Sequence, residues 1–386
     1  MRTAVLRTVL TLPLVLVFGA APAHADSPPR YVISELPLGG SASAGSSINN
    51  RSWVAGYSTL SGSVTHATLW RNGAATDLDT LGGPNSAVLW PVKNNNGIIT
   101  GVTETADIDP LDEAWSCSAF FGVDTEHACV GFVWEGGRMR ALPTLGGTHG
   151  FATGTNNRGQ VVGWAEVADT DPTCNQIDQF LGFHAAMWDT RHGDRVRQLL
   201  PLPGESASAA TAINDSGLVV GISGDCANAV GGFSARHAVL WHNGTPTDMG
   251  NFGGEAWNTP MGINNDGMVV GFANSPQAVG DAFDYRPFVW TSTGGFQALP
   301  VHPGDARSQA LGVNDDGLIV GLSRGPVGLR AVIWRDGAVS DLNDLATGYE
   351  GHLVSANDIN DAGVITGQAT NAAGETVAFV ATPVDS

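Results

Sequence analysis

Seven copies of one short string set the period of this chain, and that period restricts the fold more than any other feature. INNRSWVAGYS begins at Ile48, KNNNGIITGVT at Lys93, TNNRGQVVGWA at Thr155, INDSGLVVGIS at Ile213, INNDGMVVGFA at Ile263, VNDDGLIVGLS at Val313 and INDAGVITGQA at Ile359. The second position is always Asn (Asn49, Asn94, Asn156, Asn214, Asn264, Asn314, Asn360) and the ninth always Gly (Gly56, Gly101, Gly163, Gly221, Gly271, Gly321, Gly367). Successive glycines lie 45, 62, 58, 50, 50 and 46 residues apart, a spacing that suits a four-stranded propeller blade and exceeds that of leucine-rich or ankyrin units.

Each unit divides into four strand-sized pieces. The stretch through Ile-Asn is the first, a turn such as Asn265-Asp266-Gly267 reverses the chain, and Met268-Val269-Val270 begins the second. Asn and Asp bond their own backbone in such turns, and Gly takes the positive φ that a hairpin bulge needs. A third strand ends in Trp70, Trp134, Trp188, Trp241, Trp290 or Trp334, and the fourth runs into a Gly-rich bend such as TDLDTLGG ending at Gly83. The seventh unit stops after VAFVA at 377–381, before any fourth strand, while YVISELPLGG at 31–40 matches RMRALPTLGG at 138–147. The expected fold is therefore an all-β, seven-bladed propeller of four-stranded blades, with the N-terminal strand completing the last blade and closing the ring. The blades are 41–83, 84–147, 148–205, 206–254, 255–305, 306–349 and 350–381 with 31–40, forming one domain over 26–386.

The first 25 residues have the layout of a secretory signal peptide: Arg2 and Arg7, an apolar run from Val9 to Phe18, and the small-residue site Ala23-His24-Ala25. Its removal takes the formal charge from −19 to −21, since Arg2 and Arg7 leave with it. Such an acidic surface disfavours nucleic acid and anionic lipid as partners, and no stretch is apolar enough to insert in a membrane. Lys93 is the only lysine. A secreted protein, extracellular or periplasmic and monomeric, is expected.

The strings IN-x-x-G-x-V-V-G, H-A-x-x-W and D-L-x-T-L-G-G resemble the extracellular HAF-repeat family of bacterial secreted proteins, over essentially all of residues 31–381. The resemblance implies a secreted repeat protein, in keeping with a propeller, with no activity attached to it. Departures occur where Arg286 and Arg330 replace the repeat histidine, Ser52 replaces the turn glycine and Ala381 replaces the tryptophan, which bears on how blade 7 packs.

Chemistry is sparse. His66, His127, His184 and His237 are read as one repeat position, set around a ring with a structural role such as a strand-to-strand hydrogen bond. The strand-ending tryptophans are read as wedges between sheets, leaving Trp53, Trp90, Trp115, Trp164 and Trp257 as candidates for a ligand surface. The strings H-E-x-x-H and C-x-x-C and the phosphate-binding loops are absent. ETADIDP at 104–110 and EVADTDP at 166–172 place Asp107, Asp109, Asp169 and Asp171 at matching positions, with Asp112 and Glu113 following. Alternating carboxylates suit Ca²⁺, the one cofactor the sequence suggests, but the D-x-D-x-D-G loop is missing and solvated acidic loops are the preferred reading. Export favours disulfides, expected as Cys117–Cys129 within one insertion and Cys174–Cys226 between blades 3 and 4.

Loop length varies on only one face. The second-to-third-strand insertions at 104–130, 166–183, 224–236 and 274–287 lie opposite the uniform short turns, so binding is expected there, between blades 2 and 5, with Trp115, Phe120, Phe121 and Phe180 as contact residues. The leading expectation is a non-enzymatic module for a glycan or protein. A hydrolase or lyase using carboxylates of that face, and a purely structural surface protein, are the alternatives.

Overall fold

The computed structural model describes residues 29–37, 40–113, 115–227, 231–280 and 282–384, and the side chains of Trp115 and Ser116 are not among those described. The expected signal segment therefore lies outside the described residues. Seven sheets form a seven-bladed β-propeller, six of them wholly antiparallel and running in chain order from first to fourth strand. In blade 3 the strands are Gly146–Thr155, Gln160–Thr170, Leu181–Asp189 and Arg195–Leu199. Ring closure follows the expected route: Arg30–Glu35 pairs antiparallel with Thr376–Val384, from Arg30 opposite Val384 to Glu35 opposite Phe379. A fifth strand, Ala346–Thr347, runs parallel to the outer edge of Arg30–Glu35, so blade 7 holds five strands where four were expected.

The repeat residues have physical reasons to recur. A Cβ on any of the seven ninth-position glycines would stand 1.9–2.2 Å from a carbonyl oxygen of the neighbouring first strand, for example Ala44 O at Gly56 and Ser355 O at Gly367. In six blades the first strand bulges beside this contact, which brings the backbones together and leaves no room for a side chain. The second-position Asn closes its own turn through Oδ1, as when Asn156 accepts from the N–H groups of Arg158 and Gln160 at 3.1 and 3.0 Å. Its Nδ2 then reaches the carbonyl of the matching Asn one blade on, 3.0 Å from Asn214 to Asn264 and 3.0 Å from Asn360 to Asn49. Asn94 departs from this, donating to its own Ile98 carbonyl, and Asn96 Nδ2 reaches Asn157 instead.

A second ring runs through the next residue. The N–H groups of Asn50, Asn95, Asn157, Asp215, Asn265, Asp315 and Asp361 each donate to the side chain of the following member, and Asp361 donates to Asn50. The short Asn/Asp turns therefore clasp the blades as well as reversing the chain. Ser52, where the other blades carry the turn glycine, takes φ 56.

One apolar cluster lies between each pair of neighbouring blades. The strand-ending tryptophans act as the expected wedges: Trp70, Trp188, Trp241 and Trp334 are about 1 % exposed, and their Nε1 donates to Pro37, Pro143, Leu200 and Pro300 of the preceding blade at 2.7–2.9 Å. Blade 7 has only Ala381 at that position, and the N-terminal strand brings Tyr31, 1 % exposed, into the same cluster.

The histidine reading needs one correction. His66, His184 and His237 stand opposite the residue two beyond the repeat glycine, whereas Val130 holds that place in blade 2 and His127 lies opposite Ile108. An extension of the strand in blade 2 shifted the apparent match by three residues. The remaining repeat histidines bond locally, His66 to Asp77 at 2.8 Å and His237 to Asp248 at 2.9 Å, and Arg330 does the same with Asp341 at 2.9 Å.

Candidate functional site

An eighth apolar cluster lies outside the inter-blade series, on the face of the long loops. It joins Phe151, Trp164, Phe183 and both disulfides, with Tyr57, Leu89, Trp90, Phe120 and Phe121 packed against it. The insertion of blade 2 forms a helix, Trp115–Phe121, tied to the third strand by Cys117–Cys129, and Cys174–Cys226 staples blade 3 to blade 4 as expected. Phe120 lies 5.9 Å from Trp90 and 4.8 Å from Phe151, ring centre to ring centre, in edge-on geometry. Replacing Cys174 and Cys226 by Ser is expected to lower stability by about 4 kcal/mol, from the entropy of a loop of roughly fifty residues. Denaturant unfolding of reduced and oxidised protein would measure it.

Beside this cluster the propeller axis opens into a cavity of about 260 Å³, walled by Tyr57, Leu89, Met261 and Leu311, with Ser355, Asn357 and Gln368 as its polar lining. These residues precede the Ile-Asn positions on first strands or follow the repeat glycine on second strands, which places them away from the short turns. Burial holds the Tyr57 hydroxyl above its ordinary value, opposed by the Gln368 amide beside it, so Tyr57 is a neutral donor. Asn357 Nδ2 is held by Gly45 O at 2.9 Å.

The opposite end of the axis is closed. There the Asn rings leave only about 60 Å³, and Lys93 reaches across from blade 2 to the carbonyls of Val313 and Ile359 and to Asp358 Oδ1 at 3.1 Å. Asp358 is fully buried and also accepts from the N–H groups of Ile48 and Ile359, each at 2.9 Å. Burial pushes its carboxyl up, and Lys93 opposes that rise. The only lysine thus seals the channel floor, a role its sequence position did not disclose.

The four matched aspartates separate in the structure. Asp107 and Asp169 are exposed, while Asp109 and Asp171 turn inward and cap the turns that follow them. Asp171 Oδ1 accepts from Thr173 N–H at 2.8 Å, and Asp109 accepts from Leu111 and Glu113. The glutamates opening the same two strings, Glu104 and Glu166, are 0 % exposed and hold the start of their blade's first strand through Asn85 and through Thr148 and His149. Their recurrence in E-x-A-D was the signal available in the sequence. Phe180 is half-buried, with its N–H on Glu113 Oε1 at 2.6 Å. Of the other off-register tryptophans, Trp164 is buried in the cluster and Trp257 meets Phe283 of its own blade at 4.6 Å in tilted geometry.

No protein-family model matches the chain, and no curated protein matches it. Among solved structures it is similar to the Pyrococcus horikoshii acylaminoacyl peptidase, with 11 % identity and a TM-score of 0.48 over 89 % of this chain and 52 % of that one. The chain thus spans about half the length of that peptidase. It is also similar to a variant of AofleA from Arthrobotrys oligospora (9 % identity, TM-score 0.36, 83 % and 91 % covered) and to a Bacteroides thetaiotaomicron protein of unknown function (9 %, TM-score 0.35, 94 % and 100 % covered).

Proposed function

We propose that this protein is a non-enzymatic binding module, exported to an oxidising compartment, that receives a glycan at the axial cavity on its long-loop face. The observation that carries the reading is an axial cavity on the long-loop face whose walls Tyr57 and Leu89 also pack against the cluster of Trp90, Phe120 and Phe121. A half-buried tyrosine with amide and hydroxyl groups beside apolar walls suits a sugar, which offers C–H faces to rings and hydroxyls to amides. Among the described residues no helix is long and apolar enough to cross a membrane, and both cysteine pairs lie at bonding distance, which supports export. Membership of the HAF-repeat family and a monomeric state belong to the same proposal.

The hydrolase alternative asked for a carboxylate pair in a cleft. Asp109 and Glu113 form such a pair, but they are 7 % and 1 % exposed and line no part of the axial cavity. A glycan screen followed by calorimetry tests the proposal. Tyr57→Ala and Gln368→Ala should each weaken the ligand found by about tenfold or more, and unchanged affinity in both would remove the cavity from consideration.

A further inference from the structure

We infer that the sugar residue taken by the axial cavity is a neutral N-acetylated hexosamine, held by its acetamido group between Asn357, Gln368 and an aliphatic wall. The inference rests on the glycan reading and narrows it to one chemical class. The polar and aliphatic linings of the cavity come from different blades. Blades 7 and 1 supply Ser355, Asn357, Gln368 and Tyr57, whereas blades 2, 5 and 6 supply Leu89, Met261 and Leu311. The volume of about 260 Å³ falls just under the roughly 300–1,000 Å³ of pockets that take drug-sized molecules, so the cavity admits one sugar residue rather than a chain.

Charge narrows the class. Among the described residues that line the cavity none is a carboxylate, a lysine, an arginine or a histidine, and burial keeps the Tyr57 hydroxyl protonated. A uronate or a free amino sugar would bring an ion to walls that offer no counter-charge, and stripping its water there without a partner is costly. The formal charge of −19 repels a uronate further.

The apolar wall is aliphatic, and this separates an acetyl group from a bare sugar ring. Tyr57, the one aromatic residue of the lining, belongs with the polar groups, so the face opposite offers no ring for stacking. Leucine and methionine side chains instead close around a methyl group. The amides complete the match. Asn357 Nδ2 donates to Gly45 O at 2.9 Å, which fixes the side chain, and its Oδ1, which accepts from no group among the described residues, is left for the acetamido N–H. The Gln368 amide bonds the Tyr57 hydroxyl, and one of its two N–H groups remains for the acetamido carbonyl. A hexose without the acetamido group leaves both amides unpaired, which discriminates more strongly than the loss of a methyl contact alone.

The experiment is calorimetry on the full protein with the methyl glycosides of N-acetylglucosamine, N-acetylgalactosamine, glucose, galactose, glucosamine and glucuronic acid. At least one N-acetyl glycoside is expected to bind about tenfold or more tightly than its parent hexose, and neither charged glycoside should bind. Asn357→Ala and Leu311→Ser should each bring that ratio to within about threefold of unity. The ratio is the readout because partial unfolding of a variant scales both sugars alike. A hexose bound as tightly as its N-acetyl counterpart, a bound uronate, or a ratio unchanged in both variants would overturn the inference and leave the glycan reading standing. Binding of none of the six would remove both.

Discussion

Lys93→Met is expected to lower stability by about 3–5 kcal/mol, because it leaves the Asp358 carboxylate buried without its counter-charge. The methionine keeps the volume of the lysine stem, so the loss reports charge rather than packing. Asp358 retains its bonds from Ile48 and Ile359, which soften the penalty without neutralising it. The loss should also depend on pH. Burial already holds the Asp358 carboxyl above the ordinary range, and without Lys93 nothing cationic opposes it. A group whose folded value exceeds its unfolded value of about 4 contributes stability below that value and loses it as pH rises through the folded one. The variant should therefore be closest to the parent in acid and furthest from it at neutral pH. Adding Asp358→Asn should restore most of the stability. Denaturant melts at pH 4.5 and 7.5 decide the matter, and a single variant within about 1 kcal/mol of the parent at both would show that the plug is not structural.

Deleting residues 30–36 is expected to abolish the stable fold. Truncating Tyr31 alone should cost about 3–5 kcal/mol, as for other large aromatic side chains removed from a core. The deletion also removes the ladder along Thr376–Val384, leaving that strand as an open edge, and uncovers the cluster that Leu36 joins between blades 7 and 1. An open edge of β-branched residues is a template for association. Size-exclusion chromatography and circular dichroism should show aggregated or unfolded material, whereas a folded monomer would mean that six blades and a partial seventh close without the strand.

How legible the molecule was follows from where each property is encoded. The seven repeats, the turn chemistry of Asn and Asp, and the phase offset between the N-terminal strand and the last unit specified blade number and closure, because each blade repeats one local hydrogen-bond pattern. The cysteine pairing was legible for a related reason, since both pairs fall in loops of the same or adjacent blades. The histidines show the limit of string matching: His127 looked like a repeat position until strand pairing placed Val130 there.

The functional elements were less legible because they join residues of different blades. Trp90 and Phe120 were singled out separately, but only folding brings them together with Phe151 beside an axial cavity that also takes Tyr57 from blade 1 and Gln368 from blade 7. Asp109 was placed with three other aspartates on the strength of matched strings, and the structure turns it toward His149, a residue with no counterpart in the repeat. By itself the sequence determined a seven-bladed ring with one uniform and one variable face, since local turns and recurring apolar positions suffice for that. Only the tertiary structure decided that Lys93 spans the axis, that the insertions form a core of their own, and that Asp109, Glu113 and His149 are buried together, because contacts across the ring depend on closure and leave no period in the chain.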